Sequence, residues 1–372
     1  MNLLESPKAD IQEQEQALTK IQEILKLSLE MDASDIHIVA GLRPEFRIHK
    51  ELGPVEEFDV LTPDDTERFA RELIANDRHD EFLEGRDLDF SAELPGMGRF
   101  RVNAHFQRET IAMAFRAISS SVPALEDLNL PSIAQSLVSC PRGLVLVTGP
   151  TGSGKSTALA SMIDAMNETY AHHIITLEDP IEYEIRSKKC IVEQREVGAD
   201  VTTFASGLKH ALRQDPDIIL VGEMRDLETT GAAISAAETG HLVLSTLHTQ
   251  SAAQTIERII DIYPPAQQAQ IQSMLSTTLQ AVLSMGLFKR ADRPGMVPAC
   301  EVMLCNSAVR NCIRENRIHE IPNIITTNRQ HGMQLFDDAL KDLIMGGFIT
   351  RDQGLAGAAR PEYLNNLLTS RV

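Results

Sequence analysis

Two patterns of hydrophobic positions divide the chain. In the first 120 residues, short segments such as 35–39 and 98–106 alternate apolar with polar positions, and amphipathic helical patterns cover 18–31 and 62–76. Alternation is typical of strands with one buried face, and a 3.6-residue period is typical of surface helices. Residues 1–120 are therefore predicted to form a small α+β domain with a short polar extension at its start.

The second pattern begins beyond a linker at 121–131. The run from 143 to 148 is continuously apolar, as expected of a parallel strand that is buried on both faces. Similar runs, separated by helical patterns, follow at 173–177, 217–221 and 241–246. Strands that alternate with helices predict an α/β sheet over residues 132–372, in which helices are expected to dominate from Pro265 onward.

Charge and composition narrow the function classes. The chain has 53 acidic and 35 basic residues and a net charge of -18, which disfavours general nucleic-acid binding. Its longest apolar stretches fall short of 18 residues, so direct membrane insertion is not expected. The start lacks the apolar segment of a signal peptide, and the 5 cysteines are scattered as in reduced cytosolic proteins. A cytoplasmic location follows.

A glycine-rich loop follows the first buried strand. The segment GPTGSGKST at 149–157 matches the phosphate-binding pattern G-x-x-x-x-G-K-[ST], and a helical pattern comes next. Glycines let backbone N–H groups approach phosphates, while Lys155 reaches the β- and γ-phosphates and Ser156 offers a hydroxyl to Mg²⁺. The predicted nucleotide-binding residues are Gly149, Thr151, Gly152, Ser153, Gly154, Lys155, Ser156 and Thr157. ATP and Mg²⁺ are the expected ligands.

Two further apolar strands end in acidic residues. Glu178 and Asp179 follow the strand that starts at His173, and Glu223 follows the strand at 217–221. Ligands of α/β sheets bind at the carboxyl ends of the strands, where these acids are expected to lie. We predict that Glu178 orients or deprotonates the attacking water. Glu223, one position beyond the usual aspartate, is predicted to support Mg²⁺ directly or through water, together with Ser156.

A histidine follows the next strand. His248 comes after the apolar run at 241–246 and between Thr246 and Thr249. A histidine in that position can sense a γ-phosphate by donating a hydrogen bond, although a buried histidine satisfied by backbone groups is the alternative interpretation. The polar residues on either side favour a functional role for His248.

Four segments together resemble one family. Their order is GPTGSGKST at 149–157, ITLEDPIEY at 175–183, DIILVGEMRD at 217–226 and TGHLVLSTLHT at 239–249. This set resembles the secretion-superfamily traffic ATPases, above all the pilus retraction ATPases of the PilT and PilU kind. The segments ASDIH at 33–37 and AVRNCIRE at 308–315 resemble further motifs of that branch.

The resemblance implies an architecture and a function. It implies a PAS-like N-terminal domain, a RecA-like ATPase domain with C-terminal helices, and a homohexameric ring that retracts type IV pili. Arg99, Arg101 and Arg116 would approach the nucleotide from the N-terminal domain, although surface ion pairs are the alternative interpretation. The implied partners are an inner-membrane platform protein and a paralogous retraction ATPase, which would place the ring peripherally at the inner membrane.

Three other functions stay open on the residues alone. The first is a pilus-assembly or secretion ATPase of the same superfamily, and the second is a nucleotide-dependent scaffold with little turnover. The third, a nucleic-acid translocase, is disfavoured by the acidic charge. The helix predicted at 308–315 places Arg310, Arg314 and Glu315 on one side, and the resemblance suggests that it transmits motion.

Overall fold

The chain divides after Ile118 into two compact units. The computed structural model describes residues 18–48, 51–95, 97–118 and 121–369. Within these ranges, the helices lack the combination of length and apolar character that crossing a membrane requires.

The first unit is an antiparallel sheet with helices. Its elements are α1 (Lys20–Glu30), β1 (Asp35–Val39), β2 (Glu45–Ile48), β3 (Glu51–Pro54), α2 (Pro63–Leu73), α3 (His79–Gly85), β4 (Asp87–Leu94), β5 (Gly98–Gln107) and β6 (Thr110–Ile118). The strands are hydrogen-bonded in the order β3-β2-β1-β6-β5-β4. Phe46, Phe69, Phe82, Phe100 and Phe115 are all buried in its core. The predicted α+β architecture is confirmed.

The start of α2 follows the sequence prediction. The Thr62 hydroxyl accepts a hydrogen bond from the Asp65 N–H at 3.1 Å, and Pro63 occupies the first helical position. This side chain satisfies one of the backbone donors that a helix start leaves unpaired. The helix ends at Leu73, three residues before the predicted end.

The second unit alternates strands with helices. Its elements are α4 (Ile133–Leu137), β7 (Gly143–Thr148), α5 (Lys155–Thr169), β8 (His173–Glu178), β9 (Ile191–Glu196), α6 (Phe204–Ala211), β10 (Ile218–Val221), α7 (Leu227–Glu238), β11 (Leu242–Leu247), α8 (Ala252–Asp261), α9 (Pro265–Thr278), β12 (Leu279–Lys289), β13 (Met296–Leu304), α10 (Ser307–Arg314), α11 (Ile321–Thr327), α12 (Phe336–Met345), α13 (Arg351–Gly357) and α14 (Pro361–Thr369). Short 3₁₀ turns lie between several of them.

Parallel pairing sets the geometry of this unit. The strand order is β13-β12-β7-β11-β10-β8-β9, and every pair from β12 to β9 is parallel. Strands β7, β10 and β11 are buried along their whole length. Two separate clusters of buried apolar side chains cover the two faces of the sheet. The predicted RecA-like α/β fold is confirmed.

Helices dominate from Pro265 onward, as expected, but two segments there are strands. β12 and β13 form an antiparallel hairpin, and β12 also pairs in parallel with β7. The sequence of β12, LQAVLSMGLFK, has three Leu together with Gln, Ala, Met and Lys, and these residues favour a helix when no tertiary contact opposes it. Pairing on both sides decides for a strand, since local propensity is a weak determinant beside tertiary packing.

Helix α10 lies where the sequence predicts a helix, within one residue at each end, and its Arg310 contacts a neighbouring helix. The guanidinium of Arg310 donates to the carbonyl oxygens of Ser276 at 2.7 Å and Thr277 at 2.8 Å, near the end of α9. These carbonyls lack partners within their own helix, so Arg310 caps α9. Arg314 and Glu315 are exposed, whereas Arg310 is half-buried. Arg310 therefore fastens two helices together and is not part of an exposed charged side.

The last helices pack as a small cluster beside β13. Val297, Ala299, Leu340, Ile349 and Leu364 form its core. Asp337, whose side chain is 1% exposed, accepts a hydrogen bond from the Ala359 N–H at 2.9 Å and pairs with Arg360 at 3.2 Å. This carboxylate joins the start of α12 to the start of α14.

Replacing Asp337 by alanine is expected to destabilise the protein. It leaves the Ala359 N–H and Arg360 without their shared partner, and because Arg360 is half exposed we expect a loss of about 2–3 kcal/mol in the free energy of unfolding. Urea denaturation of the full chain measures it. Asp342→Ala, at an exposed position of the same helix, is the matched control and should change stability by less than about 0.5 kcal/mol. Equal stability of the two variants would contradict the assigned role of Asp337.

Candidate active site

The phosphate-binding loop connects the central strand β7 to α5. Gly149 has a φ of 142°, and a Cβ added there would lie 2.3 Å from the carbonyl oxygen of Met285. Only glycine fits this position. Gly152 and Gly154 have φ values of 77° and 89°, which favour glycine because they lie in the left-handed region. The loop therefore turns tightly and presents its backbone at the start of α5, as the sequence predicts.

Lys155 lies inside this loop. Its Nζ donates hydrogen bonds to the carbonyl oxygens of Gly149 at 2.9 Å and Pro150 at 3.0 Å, and the side chain is buried. Burial lowers the pKa of the Lys155 amine below its ordinary 10.5, while the carboxylates of Glu182 and Glu223 act in the opposite direction. The ammonium group is thus held at the loop, within electrostatic range of two acids.

Two hydroxyl groups of the loop differ in their surroundings. Among the described residues, Ser153 Oγ is buried without a hydrogen-bond partner. A buried polar atom of this kind calls for a partner, and a phosphate oxygen is the partner expected in this loop. Thr157 Oγ1 lies 2.9 Å from the hydroxyl of Tyr183 and so links α5 to the acidic segment. Thr151, Gly152 and Ser156 keep their predicted nucleotide-binding roles as expectations.

Glu178 closes strand β8 at the same edge of the sheet. Its Oε1 accepts hydrogen bonds from Thr176 Oγ1 at 2.6 Å and from Gln194 Nε2 at 3.0 Å. Burial raises the pKa of the Glu178 carboxyl above its ordinary 4.5, and these two hydrogen bonds and the Glu182 N–H partly offset the effect. Asp179 is exposed. Glu178 is therefore held in one orientation, with a proton affinity suited to accepting a proton from water.

Glu223 lies beyond the next strand, β10, and contacts His248. Glu223 Oε2 is 3.4 Å from His248 Nε2 and 2.6 Å from Arg225 Nε. Two hydrogen bonds tie the ends of β10 and β11 together, from Ser245 Oγ to the Val221 carbonyl at 2.7 Å and from Thr246 Oγ1 to the Gly222 carbonyl. The structure therefore brings together Glu223 and His248, which the sequence placed at separate strand ends.

Four residues that contribute to the site were not identified from the sequence. Arg225 pairs with Glu223, and the charge of Glu182 raises the pKa of Lys155. Gln194 orients Glu178, and Tyr183 contacts Thr157. Three of the four lie inside the segments already singled out at 175–183 and 217–226, so their position beside the acids was the available signal. Gln194, in β9, carries no local signal.

A metal at this site would depend partly on the substrate. Within the described ranges, no group of three or more His, Cys, Asp or Glu side chains is arranged to hold a metal ion. Mg²⁺ in nucleotide sites commonly takes one or two protein ligands and completes its shell with phosphate and water oxygens. Ser156 and Glu223 fit such a sparse donor set.

The three predicted arginines belong to the first unit. Arg116 pairs with Asp35 at 2.6 Å and lies opposite Arg101 in the pairing of β5 with β6. Arg99 and Arg101 alternate with the buried Phe100 and Val102, so both point away from that core. The ion pair of Arg116 agrees with the alternative interpretation of this residue. An approach of the three arginines to the nucleotide stays a prediction.

Comparison with known proteins defines the family. The family model described as type II/IV secretion system protein matches residues 11–353. The chain is 46% identical over 342 residues to the type IV pilus retraction ATPase PilT of Pseudomonas aeruginosa, covering 92% of this chain and 99% of the relative. It is 42% identical over 345 residues to a twitching motility protein of Neisseria gonorrhoeae, with 93% and 92% covered.

A solved structure agrees with this comparison. The pilus retraction motor PilT with bound ADP superposes with a TM-score of 0.89 at 44% identity, covering 94% of this chain and 100% of that one. The phosphate-binding loop, the buried Lys155 and the acids at neighbouring strand ends are the parts that nucleotide hydrolysis requires. The chain is an ATP-hydrolysing member of the type II/IV secretion system protein family.

Proposed function

We propose that this chain is a Mg²⁺-dependent motor subunit that couples ATP hydrolysis to type IV pilus retraction. The observation that carries the proposal is Lys155, held by the loop carbonyls and within electrostatic range of Glu182 and Glu223, in a chain similar along most of its length to retraction ATPases.

Substrate binding involves the loop and the start of α5. In the proposed complex, Lys155 exchanges its carbonyl partners for the β- and γ-phosphate oxygens, and Ser153 Oγ gains a partner there. Backbone N–H groups of the loop and the helix start add favourable electrostatics. Mg²⁺, when bound beside Ser156 and Glu223, neutralises charge that develops on the phosphates.

Hydrolysis requires a group that accepts a proton from water. Glu178 is proposed for this role because Thr176 and Gln194 fix its orientation and burial raises its proton affinity. Glu223 lies one strand nearer to β7 than Glu178 does. It is therefore better placed to support Mg²⁺ beside Lys155, whose ammonium its charge already affects.

His248 is proposed to report the state of the γ-phosphate. Its ring nitrogen contacts Glu223, and Arg225 contacts both side chains. A γ-phosphate that accepts a hydrogen bond from His248 or Arg225 would draw that side chain away from Glu223, so occupancy of the site would be passed to the loop after β11. In the same proposal, Arg99, Arg101 and Arg116 stabilise charge on the phosphates from the first unit.

The assembly and its partners are part of the proposal. We propose a homohexamer on the cytoplasmic side of the inner membrane, where it acts on a platform protein and works with a paralogous retraction ATPase. In cells that carry type IV pili, a strain with Lys155→Ala should keep surface pili and lose retraction, as measured by pilus imaging and twitching. Loss of the pili themselves would favour the assembly-ATPase alternative.

Lys155→Ala is expected to abolish hydrolysis in the purified full-length protein. The β- and γ-phosphates lose a preorganised counter-charge, which corresponds to at least about a hundredfold loss in kcat. Phosphate release measures it. Lys209→Ala, at an exposed position on α6, is the matched control and should retain wild-type turnover. A folded Lys155→Ala protein that hydrolyses ATP normally would contradict the assignment of the loop.

The pH dependence of kcat is expected to show the raised pKa of Glu178. As the pH falls through that pKa, the carboxylate binds a proton and can no longer accept one from water. The midpoint of this decline in turnover on the acid side therefore lies above pH 4.5. Glu178→Gln should slow turnover by about 10²–10⁴-fold, retain ATP binding and lose this acid limb. Glu257→Gln, at an exposed position on α8, is the control. If Glu223→Gln removes the acid limb of the pH profile and Glu178→Gln does not, Glu223 is the proton acceptor and Glu178 supports Mg²⁺.

Arg116→Ala is expected to lower kcat while ATP affinity stays within about twofold. Loss of a donor that contacts phosphate charge costs about tenfold to a hundredfold. The ion pair with Asp35 supplies the control, because Asp35→Asn removes the pair and keeps Arg116. If turnover falls equally in both variants, the role of Arg116 is to stabilise the first unit through its ion pair with Asp35. Unchanged turnover in Arg116→Ala would remove it from the proposed site.

A further inference from the structure

A buried carboxylate outside the proposed site joins three parts of the second unit. Glu301, in β13, is 6% exposed and lies opposite Ser284 of β12. A buried carboxylate is costly unless hydrogen bonds and charges compensate it, and burial here raises the pKa of Glu301. Its contacts show what holds it in place.

Glu301 lies at the first residues of two helices. Its Oε1 accepts the N–H of Ala252 at 2.8 Å, and the N–H of Phe336 lies near enough to lower the pKa of the same carboxyl. Ala252 begins α8 and Phe336 begins α12. Both amides belong to the group that a helix start leaves unpaired, and a negative charge is favourable at that end of the helix dipole. One side chain thereby ties the start of α8 to the sheet and places its charge beside the start of α12.

The loop that contains His248 leads directly into the first of these helices, α8. Strand β11 ends at Leu247 and α8 begins at Ala252, so four residues connect them. Leu247 is buried in the sheet, and the other end of the connection is attached to the sheet through Glu301. Ser251 caps α8 by accepting from Gln254, but that bond lies within the helix and does not set its position relative to the sheet.

A second contact brings the same region close to the phosphate-binding loop. Thr148, the last residue of β7, donates through its hydroxyl to Ser284 Oγ at 2.8 Å. Directly paired residues of neighbouring strands present their side chains on the same face, and Ser284 is paired with both Thr148 and Glu301. A row of three buried polar side chains therefore runs from the start of the phosphate-binding loop to Glu301.

We propose that Glu301 is a positioning residue for hydrolysis, which holds His248 against Glu223 and links the His248 loop to α12. This inference rests on the proposed role of His248. A movement of α12 pulls on the same carboxylate that positions α8, so the C-terminal helices and the nucleotide site are mechanically connected. A cap that serves stability alone would have the same contacts, but it would not act through His248.

Glu301→Gln in the full-length protein tests the proposal. The amide can accept from one of the two N–H groups but turns a donor toward the other, so one helix start is released. The released helix start is expected to misplace His248 and so to lower kcat by about tenfold to a hundredfold, with ATP affinity within about twofold of wild type. Asp342→Asn, at an exposed position of α12, is the matched control and should leave kcat unchanged.

The decisive measurement is a double-mutant cycle with His248→Ala. If Glu301 acts through His248, Glu301→Gln causes no further loss of kcat in the His248→Ala protein. Losses that multiply overturn the inference and leave the proposed role of His248 intact. A His248→Ala protein with wild-type turnover overturns that role and this inference with it. If Glu301→Gln fails to fold, Glu301→Asp takes its place, since it keeps the charge and shortens the reach.

Discussion

Parallel pairing of the central strands is the constraint on which the candidate site depends. Strands β7, β11, β10 and β8 are neighbours, and parallel strands place their carboxyl ends at one edge of a sheet. The phosphate-binding loop, His248, Glu223 and Glu178 follow these four strands in that spatial order. With neighbouring strands about 4.8 Å apart, groups separated by up to 100 residues in sequence come within reach of one nucleotide.

The charges at this edge depend on one another. Lys155 is buried, and its ammonium is kept in place by two carbonyl oxygens and by the field of Glu182 and Glu223. Glu223 in turn is shared between Arg225 and His248. A ligand that brings its own charges must therefore rearrange several partners at once, which is how nucleotide binding can alter loops that do not touch the phosphates.

The hairpin of β12 and β13 connects the site to the rest of the unit. β12 borders β7 on the side away from the acids, and the carbonyl of Met285 packs against Gly149. β13 carries Glu301 and contacts the C-terminal helices. The sequence pattern predicted helices here, because β12 follows α9 without a breaker and consists largely of residues that favour helices. Its strand conformation results from pairing with β7 and β13.

The sequence alone determined the parts of this protein that depend on local chemistry. A nucleotide-hydrolysing α/β domain is indicated by local features alone. These are the glycines at 149, 152 and 154, the lysine that follows them, and the apolar runs that lead to Glu178, Glu223 and His248. Only the tertiary structure decided which of these groups touch. The contact of His248 with Glu223, the capping of α9 by Arg310 and the start of α8 held by Glu301 join segments 25 to 49 residues apart. No local pattern specifies such contacts, because strand order and helix packing bring them together.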